Sequence, residues 1–241
     1  MTHRLRLGFA WTLLSSACVS SAQSADFWGG SIDVTSNYLV RGLSFSGNDP
    51  ALQGDIHYHS PNGWLAGLFA STVKLGHGFP ATVELDAYLG YALQISEDWA
   101  ARGEVIHYAF PWDRMSRDYE YDELVAALAY RDSLFLTMTW SPDYTSVTAE
   151  NGYQANRSAL SYELAAHAPI KGALAMAAGV GYFHFSNAAN LGYWYWNAGL
   201  TYVLGAVKLD LAYVGTSNQA DSIYYPGVAG DRVVGTLSYH F

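Results

Sequence analysis

The last nine residues of the chain, Val233 to Phe241, alternate between apolar or small residues and mostly polar ones. Successive side chains of a β-strand point to opposite faces, so this period of two predicts a strand with one apolar face. The same period recurs along the chain, most clearly over residues 83–95. Although 51% of the residues are hydrophobic, no apolar run after residue 22 approaches the length of about twenty residues that a transmembrane helix needs. The sequence therefore predicts an all-β protein whose strands have one apolar and one polar face.

Segments with this alternation number twelve, and the connections between them are long and short in turn. The predicted strands are 28–38, 51–59, 64–74, 83–95, 99–108, 119–130, 134–140, 157–168, 174–185, 194–202, 207–213 and 233–241. Residues 41–49 and 142–156 are predicted long loops, whereas 60–63 is a predicted tight turn. An even number of strands with short turns at one rim and long loops at the other is typical of outer-membrane barrels. We predict a transmembrane antiparallel up-and-down β-barrel of twelve strands.

Aromatic residues at the ends of the predicted strands are consistent with a position in a membrane. Trp28, Trp64, Trp99 and Phe241 fall at the short-turn rim, and Trp140, Trp194 and Trp196 fall towards the long-loop rim. Two such girdles anchor barrels at the two membrane–water interfaces. The chain also ends on an aromatic residue, with Tyr239 and Leu237 two and four positions before it, which resembles the C-terminal assembly signal of bacterial outer-membrane barrels. We expect the barrel-assembly machinery and outer-membrane lipid to be partners.

The first 22 residues have the pattern of a secretory signal peptide. Arg4 and Arg6 form a positive region, residues 7–14 are apolar, and small residues precede the expected cut after Ala22. The sequence thus predicts a cleaved leader over 1–22 and a barrel over 23–241, exported to the outer membrane of a Gram-negative bacterium. Cys18 lies in the leader without the aliphatic residue that a lipoprotein signal has at position 15, so a lipid anchor is disfavoured.

Composition after the leader restricts the classes of partner and chemistry. No cysteine remains, which excludes disulfides, thiolate metal sites and a cysteine nucleophile within 23–241. Without Arg4 and Arg6, ten basic residues face twenty-one acids, a net charge of −11, which argues against a nucleic-acid partner. No cofactor is predicted.

Two blocks in the first predicted strands are similar to a known family. Residues 34–44 and 50–54 resemble the opening of a family of proteobacterial outer-membrane proteins described as TorF-like porins. Further similarity lies in residues 63–67 and 84–91, and looser similarity in residues 140–144. Where members often carry Ser-Asn-Val, this chain has Ser71, Thr72 and Val73. The resemblance covers most of the chain after the leader, and it implies a barrel and a pore with no established substrate.

Charged residues inside the predicted strands fall on the faces opposite the apolar stripes. Each would cost up to a few kcal/mol if it faced lipid, so we expect all of them to point into the barrel. The predicted pore-lining residues are Asp33, Asp55, Glu84, Asp86, Arg102, Glu104, Glu123, Glu163, Lys208 and Asp210. Eight acids against two bases predict a passive channel for small hydrophilic solutes with a modest preference for cations.

The same charges are compatible with a different interior. A barrel of twelve strands lies between filled eight-stranded barrels and open sixteen-stranded porins, so the charges can instead form a salt-bridge network that plugs the lumen. In that case the protein would be a structural barrel with a binding role at its surface loops. Arg41, at the outer end of the first predicted strand, is expected at the pore mouth, either as an interfacial anchor or loop salt bridge or as a fixed cation that selects anionic groups.

Catalytic and metal-binding alternatives have weaker support. Residues 42–46 lack the second glycine of a nucleophile elbow, and nothing fixes the mutual geometry of His77, Asp113, Asp118 and Asp143 for an outer-membrane hydrolase, so no enzyme is predicted. Asp55, His57 and His59 share one strand face, and His-x-His on a strand can bind zinc. No further ligand is identifiable on a neighbouring strand, so polar lumen residues are the favoured interpretation.

Overall fold

The structure, a computed structural model, describes residues 27–75, 82–111, 119–148, 152–186 and 191–241. Twelve antiparallel strands close into one barrel, as predicted, and each pairs with its neighbours in sequence until β1 meets β14. The strands of the barrel are β1 (Phe27–Thr35), β4 (Ala51–His59), β5 (Trp64–Thr72), β6 (Val83–Gln94), β7 (Trp99–Ala109), β8 (Tyr121–Tyr130), β9 (Leu134–Thr148), β10 (Gly152–Lys171), β11 (Leu174–Phe185), β12 (Gly192–Leu204), β13 (Val207–Thr216) and β14 (Arg232–His240). The predicted signal peptide lies outside the described residues.

Two smaller elements lie in the long connections. Strands β2 (Leu39–Val40) and β3 (Leu43–Ser44) pair with each other between β1 and β4, and helix α1 (Asn218–Ile223) precedes β14. Within the described ranges, no helix has the length and apolarity to cross a membrane.

Side chains alternate between the two faces of the barrel wall. Along β6, Glu84 and Asp86 are buried whereas Leu85 and Leu89 are exposed. Large apolar side chains are exposed on every strand of the wall, which is the reverse of a water-soluble protein and is what a lipid-facing surface requires. Leu136, Leu209 and Trp196 also lie on the outer face, with Trp196 half-buried there.

The rim with short turns has a regular aromatic girdle. Three pairs lie directly opposite each other across neighbouring strands, and their ring centroids are 4.8–5.3 Å apart: Trp28 with Tyr58, Trp64 with Tyr91, and Trp99 with Tyr130. Cross-strand aromatic pairs stabilise a sheet by packing. The predicted girdle at this rim is therefore built as tryptophan–tyrosine pairs.

The barrel is closed by a short seam. Strands β1 and β14 pair over five residue pairs, whereas β1 and β4 pair over nine. Beyond the end of β14, Phe241 exchanges two backbone hydrogen bonds of 3.1 Å with Gly30. A side chain at Gly30 would come within 2.7 Å of the Phe241 ring, so the glycine makes room for the terminal aromatic residue.

One predicted loop is wrong. Residues 142–156 belong largely to β9 and β10, which continue beyond the end of β8 as a long hairpin. Pro142 is tolerated because it follows Trp140, the last residue of β9 that pairs with β8, and register shifts near Arg157 absorb the irregularity. The sequence pattern missed this extension because strands outside the membrane do not need an apolar face.

Candidate functional site: the barrel interior

The interior contains a hairpin contributed by the first long connection. Strands β2 and β3 are joined by Arg41 and Gly42, which both have positive φ angles of 49° and 79°. Two positive φ values are the requirement of a type I′ turn, the tightest connection between antiparallel strands. Gly42 is needed for space as well, since a Cβ atom there would lie 2.5 Å from Cγ2 of Thr216. Residues 36–48 form this inner hairpin, so the predicted loop over 41–49 is a connection, as predicted, but it folds into the barrel and contains the two-residue strand β3.

Hydrogen bonds attach the base of the inner hairpin to two other outer connections. The Ser44 N–H donates to the Val228 carbonyl at 2.8 Å, and the Lys74 N–H donates to the Phe45 carbonyl at 2.7 Å. Inside the hairpin, the Asn37 Oδ1 accepts from the hydroxyls of Ser44 and Ser46 at 2.7 and 3.1 Å. The first sequence block that resembles TorF-like porins, residues 34–44, overlaps the inner hairpin.

The inner hairpin crosses the lumen. Near its base, Leu39 packs against residues of β13 and β14, while Arg41 at its tip reaches Glu123 on β8. In the ring of strands, β8 is five steps from β1 in one direction and seven in the other, so the Arg41 side chain reaches the far wall, whereas Gly42 at the tip lies beside Tyr195 on β12 and Thr216 on β13. One guanidinium nitrogen of Arg41 donates to both oxygens of Glu123, at 2.8 and 2.9 Å.

Arg41 lies in the outer half of the barrel interior, and its position at a pore mouth stays a prediction. Its side chain is buried inside the barrel, and its guanidinium lies 5.4 Å from the centroid of the Phe183 ring. Of the alternatives for this residue, the structure shows a salt bridge, but with an acid of the barrel wall and not with another loop residue. The sequence pattern could not give the partner, which is 82 residues away.

Aromatic side chains fill the outer half of the interior around this pair. They come from β8, β9, β11, β12, the inner hairpin and the connections that follow β7 and β13, and include Tyr38, Phe110, Tyr121, Tyr144, Phe183, Phe185, Tyr193, Tyr195 and Tyr224. Tyr108 and Tyr121 are stacked with centroids 4.4 Å apart, and the Tyr108 hydroxyl donates to Glu123 at 3.1 Å. Tyr38 belongs to this cluster, although the alternation of the first predicted strand placed it on the outer face.

Further acids lie at the same level on β6. Glu84 is completely buried and Asp86 is 7% exposed, and both are near the outer end of the strand. No hydrogen bond of standard geometry reaches either oxygen of Glu84 from the described part of the chain. The outer half thus combines aromatic walls with three buried acids, Glu84, Asp86 and Glu123.

The half of the interior towards the short turns is organised differently. Its charged groups pair with residues two positions away on the same strand: Arg102 with Glu104 at 3.0 Å, Lys208 with Asp210 at 3.1 Å, His57 with Asp55 at 2.5 Å, and the Ser31 hydroxyl with Asp33 at 2.6 Å. Residues i and i+2 of a strand share a face, so these pairs need no other part of the fold.

Two tyrosines each donate a hydrogen bond to an acid that lies two strands away, across an intervening strand. The Tyr88 hydroxyl on β6 passes over Gly67 on β5 and donates to Asp55 on β4 at 2.7 Å. In the same way, the Tyr195 hydroxyl on β12 passes over Gly181 on β11 and donates to Glu163 on β10 at 2.8 Å. A Cβ atom at either glycine would lie 2.2–2.3 Å from the tyrosine, so each glycine is required by the ring that covers it.

All ten residues predicted to line the pore have inward positions in the strand alternation. Sequence reasoning missed Arg232, which also points inward and donates to the carbonyls of Val228 and Ala229 at 3.3 and 2.5 Å. It was overlooked because the last predicted strand began at Val233.

His57 hydrogen-bonds to Asp55, and among the described residues no group of three His, Cys, Asp or Glu could hold a metal ion. Of the residues considered for a hydrolase, His77, Asp113 and Asp118 lie outside the described residues, and Asp143 accepts the Asp122 N–H at 3.0 Å.

Comparison with protein families assigns the chain. It belongs to a family described as "Bacterial protein of unknown function (Gcw_chp)", whose model matches residues 20–239. The name of the TorF-like family stays a prediction from the sequence blocks. Among curated proteins, none matches the chain significantly.

Solved structures share the fold at low sequence identity. A structure of the NanC porin has a TM-score of 0.57 at 12% identity and covers 89% of this chain and 99% of that one. The KdgM porin has a TM-score of 0.54 at 9% identity and covers 88% and 99%. An outer-membrane channel from Pseudomonas putida F1 has a TM-score of 0.50 at 10% identity and covers 94% and 98%. This chain therefore has a porin-like barrel.

Proposed function

We propose that the protein is a narrow outer-membrane channel that passes small hydrophilic solutes by diffusion with a modest preference for cations. The observation that carries this proposal is the inner face of the wall, where acids outnumber bases. Arg102, Lys208 and Arg41 pair with Glu104, Asp210 and Glu123, and the remaining inward acids of the predicted set are Asp33, Asp55, Glu84, Asp86 and Glu163. A confined interior with excess negative charge concentrates cations. The inner hairpin sets the width of the passage.

Conductance of purified, refolded protein in a planar bilayer tests the proposal. Discrete conductance steps and a reversal potential on the cation-selective side are expected under a salt gradient, and the selectivity should weaken near 1 M salt, where the Debye length is about 3 Å. The double substitution Glu84→Gln with Asp86→Asn should move the reversal potential towards anions. Folded protein that never conducts would refute the channel, and anion preference would refute the assigned charge balance.

A matched control separates lumen charge from total charge. Glu97→Gln with Asp132→Asn removes the same two charges from exposed turns between strands, and Asp132 has a positive φ of 51° that asparagine accepts. This double variant should keep the reversal potential of the parent. An equal shift in both double variants would show that selectivity follows net charge and not the inner acids.

The alternative is a plugged barrel whose surface loops bind a partner. It is favoured by one observation, the aromatic cluster that packs around the inner hairpin in the outer half of the interior. A plug predicts no conductance from the wild type and none after the hairpin is displaced. The channel predicts a larger conductance in the second case, so the hairpin variants described below discriminate the two.

We also propose that export uses the predicted leader and that the barrel-assembly machinery acts on the last strand, with lipid around the outer face. Phe241 supplies both a side chain and two backbone bonds to Gly30. Phe241→Ala removes the ring and keeps the backbone bonds, whereas deletion removes both. If the ring is an assembly signal, both variants should lower the amount of heat-modifiable barrel in the membrane. A loss that appears only on deletion would point to seam closure instead.

A further inference from the structure

The contacts of Arg41 resemble those of a bound ligand more than those of a structural ion pair. Arg41 lies at the tip of the inner hairpin, and its guanidinium enters a pocket formed by the wall of the barrel. Glu123 on β8 binds it with both oxygens at 2.8 and 2.9 Å, and the ring of Phe183 on β11 lies 5.4 Å from it. Backbone hydrogen bonds attach the hairpin to Val228 and Lys74 in the outer connections and to Gly235 on β14, and its Tyr38 and Leu43 side chains pack in the same cluster as Phe183.

The pocket has the chemistry that selects organic cations. A carboxylate gives a charge-assisted hydrogen bond, and an aromatic face within about 6 Å attracts a guanidinium or ammonium group through its quadrupole. Glu123 is held in place by the Tyr108 hydroxyl at 3.1 Å, so the carboxylate is oriented independently of the hairpin. Glu84 and Asp86 on β6 add two further buried carboxyl groups at the same level.

The occupant is held in a conformation that an L-residue rarely adopts. Arg41 has a φ of 49°, which is unfavourable for an L-residue, and it is retained because the pair with Glu123 and the turn geometry fix it. A free solute with the same charged group would form the same contacts without that cost. Competition between the tethered and the free cation is therefore built into this pocket.

We propose that Glu123 and Phe183 form a binding site for small solutes that carry a guanidinium or ammonium group, and that Arg41 occupies this site in the resting molecule. The inference rests on the proposed channel and names the class of solute that it would select. Binding of such a solute displaces the tip of the inner hairpin and widens the passage. The pocket lies on strands of the barrel wall, whereas Arg41, which occupies it, lies in the connection between β1 and β4.

The test uses the full-length mature barrel in detergent and measures binding by isothermal titration calorimetry. The proposed solutes carry a net positive charge, and three probes of similar size test this: L-arginine, L-lysine and L-citrulline, which has no net charge and a urea group in place of the guanidinium. Arg41→Gln should bind arginine at least about tenfold more tightly than the wild type does, because removing an occupant that fills the site more than about nine-tenths of the time gives that gain. Citrulline should not gain. If lysine shows a similar gain in affinity, the site accepts organic cations in general. If only arginine does, the site is specific for a guanidinium group.

Control variants locate the effect. Glu123→Gln in the Arg41→Gln background should abolish the gain, whereas Arg131→Gln, which removes an exposed arginine from a short turn, should behave like the wild type. If Arg41→Gln does not give a heat-modifiable barrel, Leu43→Cys in a chain that keeps Arg41 supplies the second measurement. Arginine should then accelerate labelling of this buried position by a water-soluble thiol reagent, and citrulline should not.

The outcomes separate the site from the channel. Arginine that binds Arg41→Gln no better than citrulline does, or that fails to accelerate labelling at Leu43→Cys, overturns the binding site even if the protein conducts. Tight arginine binding by a folded barrel that never conducts supports the site and refutes the channel. A gain that survives Glu123→Gln places the cation elsewhere and overturns the assignment to this pocket.

Discussion

The outer and the short-turn halves of the barrel interior handle charge in opposite ways. In the short-turn half, Arg102 pairs with Glu104 and Lys208 with Asp210, each two residues apart on one strand. In the outer half, Glu123 is neutralised by Arg41, which is 82 residues away on a hairpin that crosses the lumen. The local pairs persist whatever the connections do, whereas the long-range pair exists only while the hairpin is inserted. The base–acid pairs of the short-turn half are thus independent of the connections, whereas the base–acid pair of the outer half depends on the inner hairpin.

The largest effect on conductance is expected from Gly42→Ala, which disturbs the tip of the inner hairpin. The new Cβ atom would lie 2.5 Å from Cγ2 of Thr216, and a φ of 79° costs an L-residue about 1–2 kcal/mol. We expect the hairpin tip to leave the far wall and the conductance of single channels to rise severalfold. Gly205→Ala carries similar strain at φ 62° but has no atom within 4 Å of its Cβ position, so it should leave conductance unchanged. Equal behaviour of the two variants would contradict a specific role of the tip.

The next effect concerns the two glycines under tyrosine rings. Alanine at Gly181 or Gly67 would push Tyr195 or Tyr88 away from its acid, which we expect to lower the free energy of unfolding by about 1–3 kcal/mol. Unfolding of the barrel in urea, followed by heat modifiability, measures this change. Gly103→Ala, on the outer face with no atom within 4 Å, is the control and should have no such cost.

The same pair of variants also sharpens the contrast between the halves. A Cβ atom at Gly42 would lie 3.2 Å from Cβ of Tyr195, so moving Tyr195 disturbs the hairpin tip. Gly181→Ala should therefore raise conductance, whereas Gly67→Ala should only destabilise the wall. An increase in both would show that the two halves are coupled through the barrel.

A smaller effect is expected from Arg102→Gln, which breaks a local pair in the short-turn half. Glu104 would lose its partner at 3.0 Å, so the reversal potential should shift by a few millivolts further towards cations. Binding of arginine in the outer half should not change. Displacement of the hairpin by this substitution, detected as labelling at Leu43→Cys, would contradict the independence of the two halves.

The smallest effect is expected at the base of the inner hairpin. Lys74 and Asp49 form an ion pair of 2.8 Å in which both side chains are more than half exposed. Exposed pairs contribute about 0.2–1 kcal/mol and weaken with salt. Lys74→Gln should therefore leave conductance nearly unchanged at 1 M salt and produce, at most, brief openings at low salt. A large effect in single-channel recordings would show that the base, and not the tip, holds the hairpin.

The sequence predicted the secondary structure well where the membrane constrains the residues and poorly elsewhere. The wall was predictable because lipid on one side imposes strict alternation, and 51–59 and 174–185 were predicted with the bounds of β4 and β11. Outside the bilayer that constraint disappears, so the extension of β9 and β10 was taken for a loop. The inner hairpin had one visible signal: Leu39, Val40, Leu43 and Phe45 are more apolar than an exposed loop requires. Its partner on β8 could not be found, since no local pattern joins residues 82 positions apart.

The seam between β1 and β14 also determines the order in which the molecule is completed. All other ladders of the wall join strands that are neighbours in sequence, whereas the seam joins groups such as Thr35 and Thr236, 201 residues apart. Bringing distant segments together costs closure entropy before any contact compensates for it, so hairpins form early and the ring closes late. The Arg41–Glu123 contact needs a finished cylinder to span. We therefore expect insertion of the hairpin to follow ring closure, so that a newly assembled barrel has an unoccupied lumen before its own chain enters it.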